Sequence, residues 1–323
     1  MIVVLSGGVG GARLCAGLVQ VLTPEEVLVV VNTGDDFDHW GLRICPDLDT
    51  VMYTLSRRVD ESQGWGIAGD TWNALTSMGR LGGESWFRLG DHDLATHLKR
   101  TAGLAAGRSL SEVTRELFLA HGLAHPVVPV TDAPHRTQVQ TDRGLLDFQD
   151  YFVRQRGEPP CLGVSFGDGE PPEPSKALAM AMKRDDIEAV LVCPSNPVLS
   201  IQPLLAVRGV REWLRARRFP VLAVSPFIGG TAVKGPAARI FSHLGLEPTV
   251  TGLCDWYGPL VDGWLVDPQD FGLPVPPGVS LRSHHIRLDT ALRRREVAEA
   301  LLAWLSDIRA GHAPVSFSSS FKG

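Results

Sequence analysis

The chain has 323 residues, of which 44% are hydrophobic and 21% are charged, and its formal net charge at pH 7 is -5. The length predicts roughly two domains, or one large α/β unit with an insertion, and the composition excludes a wholly disordered chain. The acidic balance argues against nucleic acid as a partner, and no apolar window reaches the roughly 18 uninterrupted residues that span a membrane. The 5 cysteines are dispersed and form no C-x-x-C pair, which is typical of reduced thiols in a cytoplasmic protein.

The N-terminal part of the chain predicts a strand, a glycine turn, a helix and a second strand. Residues 2–5 are a short apolar run that stops at Ser6-Gly7-Gly8, and an apolar helical pattern follows. Buried strands are also predicted at 27–31, 126–130, 189–193 and 221–225. Consecutive buried strands favour a mainly parallel α/β sheet with helices on both faces, and the carboxyl ends of its strands meet at one ligand-binding edge.

Two stretches depart from this alternation of strands and helices. Residues 51–123 predict an inserted, largely helical region over the ligand-binding edge, which separates the core segments 1–50 and 124–312. Within the second core segment, residues 138–152 alternate polar and apolar side chains about a turn, which predicts a β-hairpin. The last residues, 313–323, predict a mobile tail.

The segment SGGVGGAR, residues 6–13, joins the first predicted strand to the first helix. Gly8, Gly10 and Gly11 lack a β-carbon, so backbone N–H groups there can approach a phosphate at the start of a helix. The glycine spacing does not match the P-loop motif, which disfavours a P-loop kinase. It is also not a clean G-x-G-x-x-G motif, which argues against the alternative that the protein is an NAD-dependent dehydrogenase. An ordinary tight strand–helix turn is the other interpretation.

Carboxylates cluster after the second strand, in NTGDD at residues 32–36 and in PDLDT at residues 46–50. Carboxylates on loops beside a phosphate-binding turn are typical of a Mg²⁺ site, because Mg²⁺ takes a few carboxylate oxygens together with phosphate and water. Asp47 or Asp49 as a helix cap is the alternative. The combination with the glycine segment favours the metal site.

The segment RLGDHDLATH, residues 88–97, places two acids and two imidazoles near a predicted helix start. His92 and His97 are five residues apart and do not share a helix face, so a zinc site is disfavoured. The segment instead suits hydrogen bonding to a polar substrate, with helix capping by Asp91 or Asp93 as the alternative.

Polar turns also follow the later strands, in PSNP, SPFIGG and KGPA. Ser195 and Asn196 suit hydrogen bonds to phosphate or ribose, and Lys234 suits a phosphate counter-charge. Ordinary Pro-rich turn chemistry is the alternative. Among the tryptophans, Trp40 and Trp65 lie close to the acidic loops and are candidates for stacking on a flat heterocycle.

In their order along the chain, these motifs resemble the CofD/FbiA family, the 2-phospho-L-lactate transferases of coenzyme F(420) biosynthesis. The resemblance implies a Rossmann-like fold with an inserted smaller region, a homodimer and Mg²⁺ dependence. It implies transfer of a phospholactate-type group from a guanosine diphosphate ester to the ribityl hydroxyl of the deazaflavin Fo, with release of GMP. The donor ester is lactyl-2-diphospho-5′-guanosine or its enolpyruvyl or glyceryl counterpart.

The resemblance also leads to hypotheses about individual residues. The donor phosphates and nucleotide are expected to contact Gly8, Gly10, Gly11, Ser195, Asn196 and Lys234. The expected ligands of Mg²⁺ are Asp36, Asp47 and Asp49. Fo is expected to contact Asp49, Asp91, His92 and Trp65.

The expected catalytic residues are Asp47, Asp49 and His92, with Asp49 orienting or deprotonating the Fo hydroxyl. His92 departs from the family pattern, because relatives usually carry a basic Arg or Lys at that position. The alternative function is that of a regulatory nucleotide-sugar-binding protein of the same superfamily, without transfer activity. Such a protein is expected to lack the RLGDHDLATH and PDLDT segments that this chain has.

Overall fold

The computed structural model describes residues 1–167, 169–233 and 235–312. The strands in these ranges are β1 (Ile2–Ser6), β2 (Val27–Val31), β3 (Phe37–His39), β4 (Leu42–Ile44), β5 (Val127–Pro129), β6 (Thr137–Thr141), β7 (Gly144–Asp147), β8 (Gly163–Phe166), β9 (Ala189–Val192), β10 (Val221–Val224), β11 (Phe227–Ile228), β12 (Thr231–Ala232), β13 (Gly263–Val266) and β14 (Ser280–Ser283). Lys234 and the predicted tail, 313–323, lie outside the described residues.

The α-helices of the described ranges are α1 (Gly8–Leu18), α2 (Pro46–Leu55), α3 (Asn73–Arg80), α4 (Asp91–Ala105), α5 (Leu110–Ala120), α6 (Lys176–Ala181), α7 (Gln202–Ala206), α8 (Val210–Arg215), α9 (Ala237–His243), α10 (Val250–Tyr257) and α11 (Ala291–Arg309). Two π-helical segments, Asp150–Arg154 and Pro197–Ile201, and a 3₁₀ turn, Gly258–Leu260, complete the helical elements of these ranges. None of the described helices is long and apolar enough to cross a membrane.

A parallel sheet organises the described chain, with seven strands in the order β14-β13-β10-β9-β1-β2-β5. Alternate residues of β1 face opposite sides: Val3 and Leu5 join one buried cluster, and Ile2 and Val4 join the other. Helices α1 and α11 supply the second cluster, whereas α6, α9 and α10 supply the first. Because both faces are covered, the central strands are almost entirely apolar. The predicted Rossmann-like α/β fold is confirmed.

The strand order reverses between β1 and β9. The chain runs outward from β1 through β2 to β5, returns to the other side of β1 with β9, and continues through β10 to β14. A crevice opens at such a reversal, at the carboxyl ends of the strands, because the connections on its two sides run to opposite faces of the sheet. The turns after β1 and β9 therefore border one site.

The antiparallel elements differ in part from the sequence prediction. The hairpin is observed as β6 and β7, joined at Asp142 and Arg143, and β8 pairs with the other edge of β6. Its second strand ends at Asp147, because the chain then enters the π-helical segment Asp150–Arg154. Between β4 and β5 lie helices α2, α3, α4 and α5, and the expected boundary at residue 50 falls inside α2. The division into a core and an inserted region stays a prediction.

Candidate functional site

A cavity of about 530 Å³ opens at the carboxyl edge of the sheet, beside the reversal of strand order. Its walls come from the first turn of α1, the turns after β9 and β10, the start of α2, one face of α4, and the loops around residues 63–66, 86–88 and 148–153. The motifs that sequence analysis placed at separate strand ends therefore contribute to a single site.

The glycine turn packs directly against the turn after β9. The N–H of Gly7 donates to Ser195 Oγ at 3.2 Å, and α1 begins at Gly8, whose φ is +64°. A β-carbon on Gly10 would overlap the carbonyl oxygen of Pro194. Gly8 and Gly10 line the cavity, so the first turn of α1, whose N–H groups lack intrahelical partners, borders it. The N–H of Gly8 donates to the Asp47 carboxylate.

The third predicted phosphate-binding glycine, Gly11, is not among the residues that line the cavity, and its role in phosphate binding stays a prediction. A β-carbon on Gly11 would lie 2.8 Å from Ser195 Oγ, so Gly11 serves the close packing of the two turns. Asn196 uses its side-chain carbonyl to accept from the N–H groups of Val198 and Leu199, at 3.0 and 3.1 Å. Ser195 and Asn196 both line the cavity. Capping uses the amide oxygen of Asn196, so its NH₂ group is available as a hydrogen-bond donor.

Two buried carboxylates share one amide group beside the glycine turn. Asn32 Nδ2 donates to Asp35 Oδ1 at 2.7 Å and to Asp47 Oδ2 at 2.9 Å, and both aspartates line the cavity. Burial raises the pKa of Asp47 to about 6. Burial and the neighbouring Asp47 charge raise the pKa of Asp35 well above its usual value. The pair therefore places two acidic groups side by side in the cavity lining.

Asp36 lies next to this pair in sequence but has different surroundings. Its side chain is 5% exposed, faces the Cys45 thiol, and burial raises its pKa to about 7. The sequence prediction of Mg²⁺ ligands included Asp36 and did not include Asp35. In the described ranges, no group of three or more His, Cys, Asp or Glu side chains is arranged to hold a metal ion. The ligand set Asp36, Asp47 and Asp49 stays a prediction.

Asp49 is ion-paired with a buried arginine of α4. Arg100 Nη1 donates to Asp49 Oδ2 at 3.1 Å, and Arg100 Nη2 donates to Asp49 Oδ1. Asp49 lines the cavity, whereas Arg100 lies behind it and is 1% exposed. Asp47 and Asp49 are thus directed to different partners, although they lie two residues apart on α2.

The acids and imidazoles of RLGDHDLATH have different surroundings. Asp91 accepts from Thr71 Oγ1 and from the N–H groups of Asn73 and Ala74, which lowers its pKa and caps α3. His92 is exposed on the outer face of α4. The expected contacts of Asp91 and His92 with Fo stay predictions.

The inward face of α4 carries residues that were not among the predicted site residues. Asp93 and His97 line the cavity, and Arg100 follows on the same face. Tyr53 Oη donates to Asp93 Oδ1 at 2.6 Å, and His97 Nε2 lies 3.3 Å from that same oxygen. The signal that could have found them is the spacing i, i+4 and i+7, which places residues 93, 97 and 100 on one side of a helix.

Tryptophan and phenylalanine side chains form part of the cavity lining, here called the aromatic wall. Trp65 lines it with 37% of its surface exposed, and Trp86, Phe87, Phe148 and Phe152 line it as well. The Phe148 and Phe152 rings are stacked with centroids 5.2 Å apart. This wall suits a flat heterocycle, because stacked rings gain both buried area and favourable ring–ring contact.

Two guanidinium groups line the described part of the cavity. Arg13, in the second turn of α1, lies 3.6 Å from Glu61, and Arg88 lies 4.3 Å above the Trp72 ring. Arg13 belongs to the segment SGGVGGAR and Arg88 to the segment RLGDHDLATH, but neither arginine is among the predicted site residues. Guanidinium groups favour phosphate and carboxylate ligands.

The comparisons with known proteins assign this architecture to a family. The family model described as "2-phospho-L-lactate transferase CofD" matches residues 2–297. The chain belongs to the CofD family.

Two curated relatives of this CofD-family chain extend over most of its length. It is 39% identical over 320 residues to a phosphoenolpyruvate transferase of Kitasatospora aureofaciens, which covers 96% of this chain and 99% of that protein. It is 39% identical over 268 residues to a 2-phospho-L-lactate transferase of Methanosarcina acetivorans, with coverage of 83% and 86%. The resemblance inferred from the sequence is confirmed, and family membership supports a transferase.

A solved structure has the same fold. A UPF0052-family protein of Bacillus halodurans superposes with a TM-score of 0.61 over 93% of this chain and 98% of that chain, at 16% sequence identity. At this identity the likeness concerns the fold alone.

Proposed function

We propose that this CofD-family protein transfers a phosphoacyl group from a guanosine diphosphate ester to the ribityl hydroxyl of Fo, with release of GMP, in the biosynthesis of coenzyme F(420). The names of its relatives, phosphoenolpyruvate transferase and 2-phospho-L-lactate transferase, support this reaction class. The observation that carries the proposal is the single cavity that combines a helix N-terminus, a buried carboxylate pair and an aromatic wall.

The donor phosphates would bind at the first turn of α1. The N–H groups at the start of a helix lack intrahelical partners and carry partial positive charge, so they bind anions. Gly8 and Gly10 allow close approach there, and Ser195 and Asn196 add hydrogen-bonding groups from the neighbouring turn. Arg13 is one turn further along α1 and lines the same cavity. Lys234 remains a proposed counter-charge.

The carboxylate pair fits Mg²⁺. Asp35 and Asp47 are buried next to each other, and their raised pKa values express the free energy that a nearby cation would recover. Mg²⁺ is usually held by one or two carboxylates, and the oxygens of substrate phosphates and water complete its octahedron. Bound there, Mg²⁺ would neutralise charge on the transferring phosphoryl group.

The acceptor would lie against the aromatic wall, with its hydroxyl near Asp49. Trp65 and the neighbouring phenylalanines offer a stacking surface for the deazaflavin ring. Asp49 faces the cavity and accepts hydrogen bonds, so it suits the orientation of a hydroxyl group. Phosphoryl transfer requires mainly such positioning and charge neutralisation by the protein.

Mg²⁺ is expected to stabilise the protein at pH 7.5 and much less at pH 5. With its pKa raised to about 6, Asp47 is mostly protonated at pH 5, and the cation must then displace that proton. At a Mg²⁺ concentration 100 times Kd, the free energy of unfolding should rise by about 2.7 kcal/mol at pH 7.5. Denaturant unfolding at both pH values, with EDTA as the reference, measures the difference.

Neighbouring substitutions identify the ligands of the cation. Asp47→Asn and Asp35→Asn should each remove most of the stabilisation by Mg²⁺, whereas Asp36→Asn should keep it. If Mg²⁺ no longer stabilises Asp36→Asn but still stabilises Asp35→Asn, the ligand set expected from the sequence is supported instead. Equal stabilisation of all three variants would contradict a Mg²⁺ site at any of these carboxylates.

A product assay tests the proposed function directly. Purified protein is incubated with Fo, Mg²⁺ and, in turn, the lactyl, enolpyruvyl or glyceryl diphosphoguanosine donor, and the products are identified by mass spectrometry. We expect GMP and one phosphoacyl-Fo in equal amounts, and the productive donor identifies the three-carbon acid. Saturable binding of a guanine nucleotide without product from any donor would support the regulatory binding protein instead.

A further inference from the structure

The ion pair between Asp49 and Arg100 joins two helices behind the cavity. Asp49 is in the first turn of α2, and Arg100 projects from the middle of α4. Both side chains are at least nine-tenths buried. Nevertheless Asp49 lines the cavity, so one carboxylate both closes the ion pair and faces the substrate space.

The guanidinium group holds this carboxylate in one orientation. Nη1 donates to Oδ2 and Nη2 donates to Oδ1, and this two-point contact fixes the plane of the carboxylate as well as its position. The carbonyl of Arg43 lies 3.4 Å from Nη1 and accepts from it. Arg100 is therefore held from two sides while it holds Asp49.

His97 and Asp93 support Arg100 from the same helix. Arg100 Nη1 lies 3.1 Å from His97 Nδ1, and an arginine has no acceptor, so Nδ1 must accept. The ring hydrogen is then on Nε2, which lies 3.3 Å from Asp93 Oδ1. Tyr53 Oη donates to that same oxygen. The Asp49 carboxylate is thereby linked by hydrogen bonds through Arg100 to His97, and Asp93 lies within ion-pair distance of the His97 ring.

A buried ion pair is by itself weak evidence of a stabilising role, and what distinguishes the Asp49–Arg100 pair is that Asp49 also lines the cavity. Desolvation of a buried carboxylate and guanidinium offsets much of their attraction, and apolar replacements of similar volume are often as stable. Resting on the function proposed above, we propose that Arg100 is a positioning residue, which holds the Asp49 carboxylate in the orientation that accepts a hydrogen bond from the acceptor hydroxyl.

A double-mutant cycle tests this role. Arg100→Met should lower kcat about 100-fold, because a displacement of about 1 Å in a catalytic geometry has an effect of this size. Since Arg100 acts through Asp49, Arg100→Met should cause no further loss when it is added to Asp49→Asn. If the factor by which kcat falls in the double variant equals the product of the factors in the two single variants, the proposal is overturned. Arg100→Lys keeps the charge without the two-point contact and should remain at least tenfold impaired.

Two further variants serve as controls for the effect of these substitutions on folding. The double variant removes both buried charges, so it should melt above Arg100→Met and remain measurable even if that single variant unfolds. The matched control is Arg217→Met, because Arg217 forms a buried two-point pair with Asp262 at the far end of β10 and β13. Its stability should fall while kcat stays at the wild-type value. A comparable loss of kcat in Arg217→Met would assign the Arg100 effect to general destabilisation.

Fluorescence titration with Fo separates this proposal from the proposed function. Arg100→Met and Asp49→Asn should each weaken Fo binding about tenfold, and the double variant should bind no more weakly than Asp49→Asn. If the wild-type protein binds Fo without transferring the phosphoacyl group, the proposed reaction is refuted. The positioning role of Arg100 is then tested by the Fo affinities of the two single variants and the double variant. Unchanged Fo affinity and unchanged kcat in Arg100→Met would refute the positioning role, as would the failure of the wild-type protein to bind Fo.

Discussion

Asp49→Asn is expected to lower kcat for phosphoacyl transfer by about 10²–10⁴-fold, the range that general acid–base and hydroxyl-orienting groups contribute. The amide keeps the shape of the side chain and one acceptor oxygen, but it loses the negative charge and the two-point contact with Arg100. Steady-state rates of GMP release at saturating donor and acceptor measure the effect.

The same substitution also lowers stability, which requires a matched comparison. Arg100 would remain buried without its counter-charge, at a cost of about 3–5 kcal/mol in the free energy of unfolding. Asp262→Asn breaks the buried pair with Arg217 at a distance from the cavity and should lose similar stability with full kcat. If Asp49→Asn loses no more activity than Asp262→Asn, Asp49 has no role in the reaction.

Gly10→Ala is expected to lower kcat/KM for the donor about 100-fold. The new β-carbon would overlap the Pro194 carbonyl, so the first turn of α1 must move away from the turn after β9 by a sizeable fraction of an ångström. That movement displaces the N–H groups proposed to bind the donor phosphates. Overpacking should also lower the free energy of unfolding by about 1–3 kcal/mol. Calorimetric titration with GDP measures the loss at the nucleotide site without the acceptor.

Gly163→Ala is the control for this substitution. Gly163 begins β8, its β-carbon would meet no atom within 4 Å, and its backbone is outside the left-handed region. Its affinity for GDP and its stability should match those of the wild-type protein. Wild-type GDP affinity in Gly10→Ala would show that the close contact with Pro194 does not shape the nucleotide site.

Much of the fold follows from short runs of apolar residues. Strands β1, β2, β9 and β10 are uninterrupted apolar or nearly apolar segments, because each is covered on both faces, and each lies where the sequence predicts it. Strand β14, with the sequence SLRS, has no such signal because it is an edge strand and is only partly buried. The position of β14 depends on its pairing with β13, and no local sequence pattern predicts that pairing.

The candidate site was predictable where a motif follows a strand and less so where two helices meet. Ser195 and Asn196 line the cavity because β9 delivers them to the edge of the sheet. Arg100 was not selected, because its importance arises from Asp49, which lies far away in sequence and meets it only when α2 packs against α4.

The amino-acid sequence by itself determined the parallel α/β architecture, the glycine turn and the clustering of polar segments at one sheet edge, because these depend on local periodicity and on the direction of parallel strands. Only the tertiary structure decided which side chains face the cavity. Asp35 and Asp36 are neighbours in one turn, yet the first faces Asp47 and the second faces Cys45. The direction of a side chain in a turn depends on the backbone torsion angles and on packing partners from distant segments. The residue types in the turn predict neither.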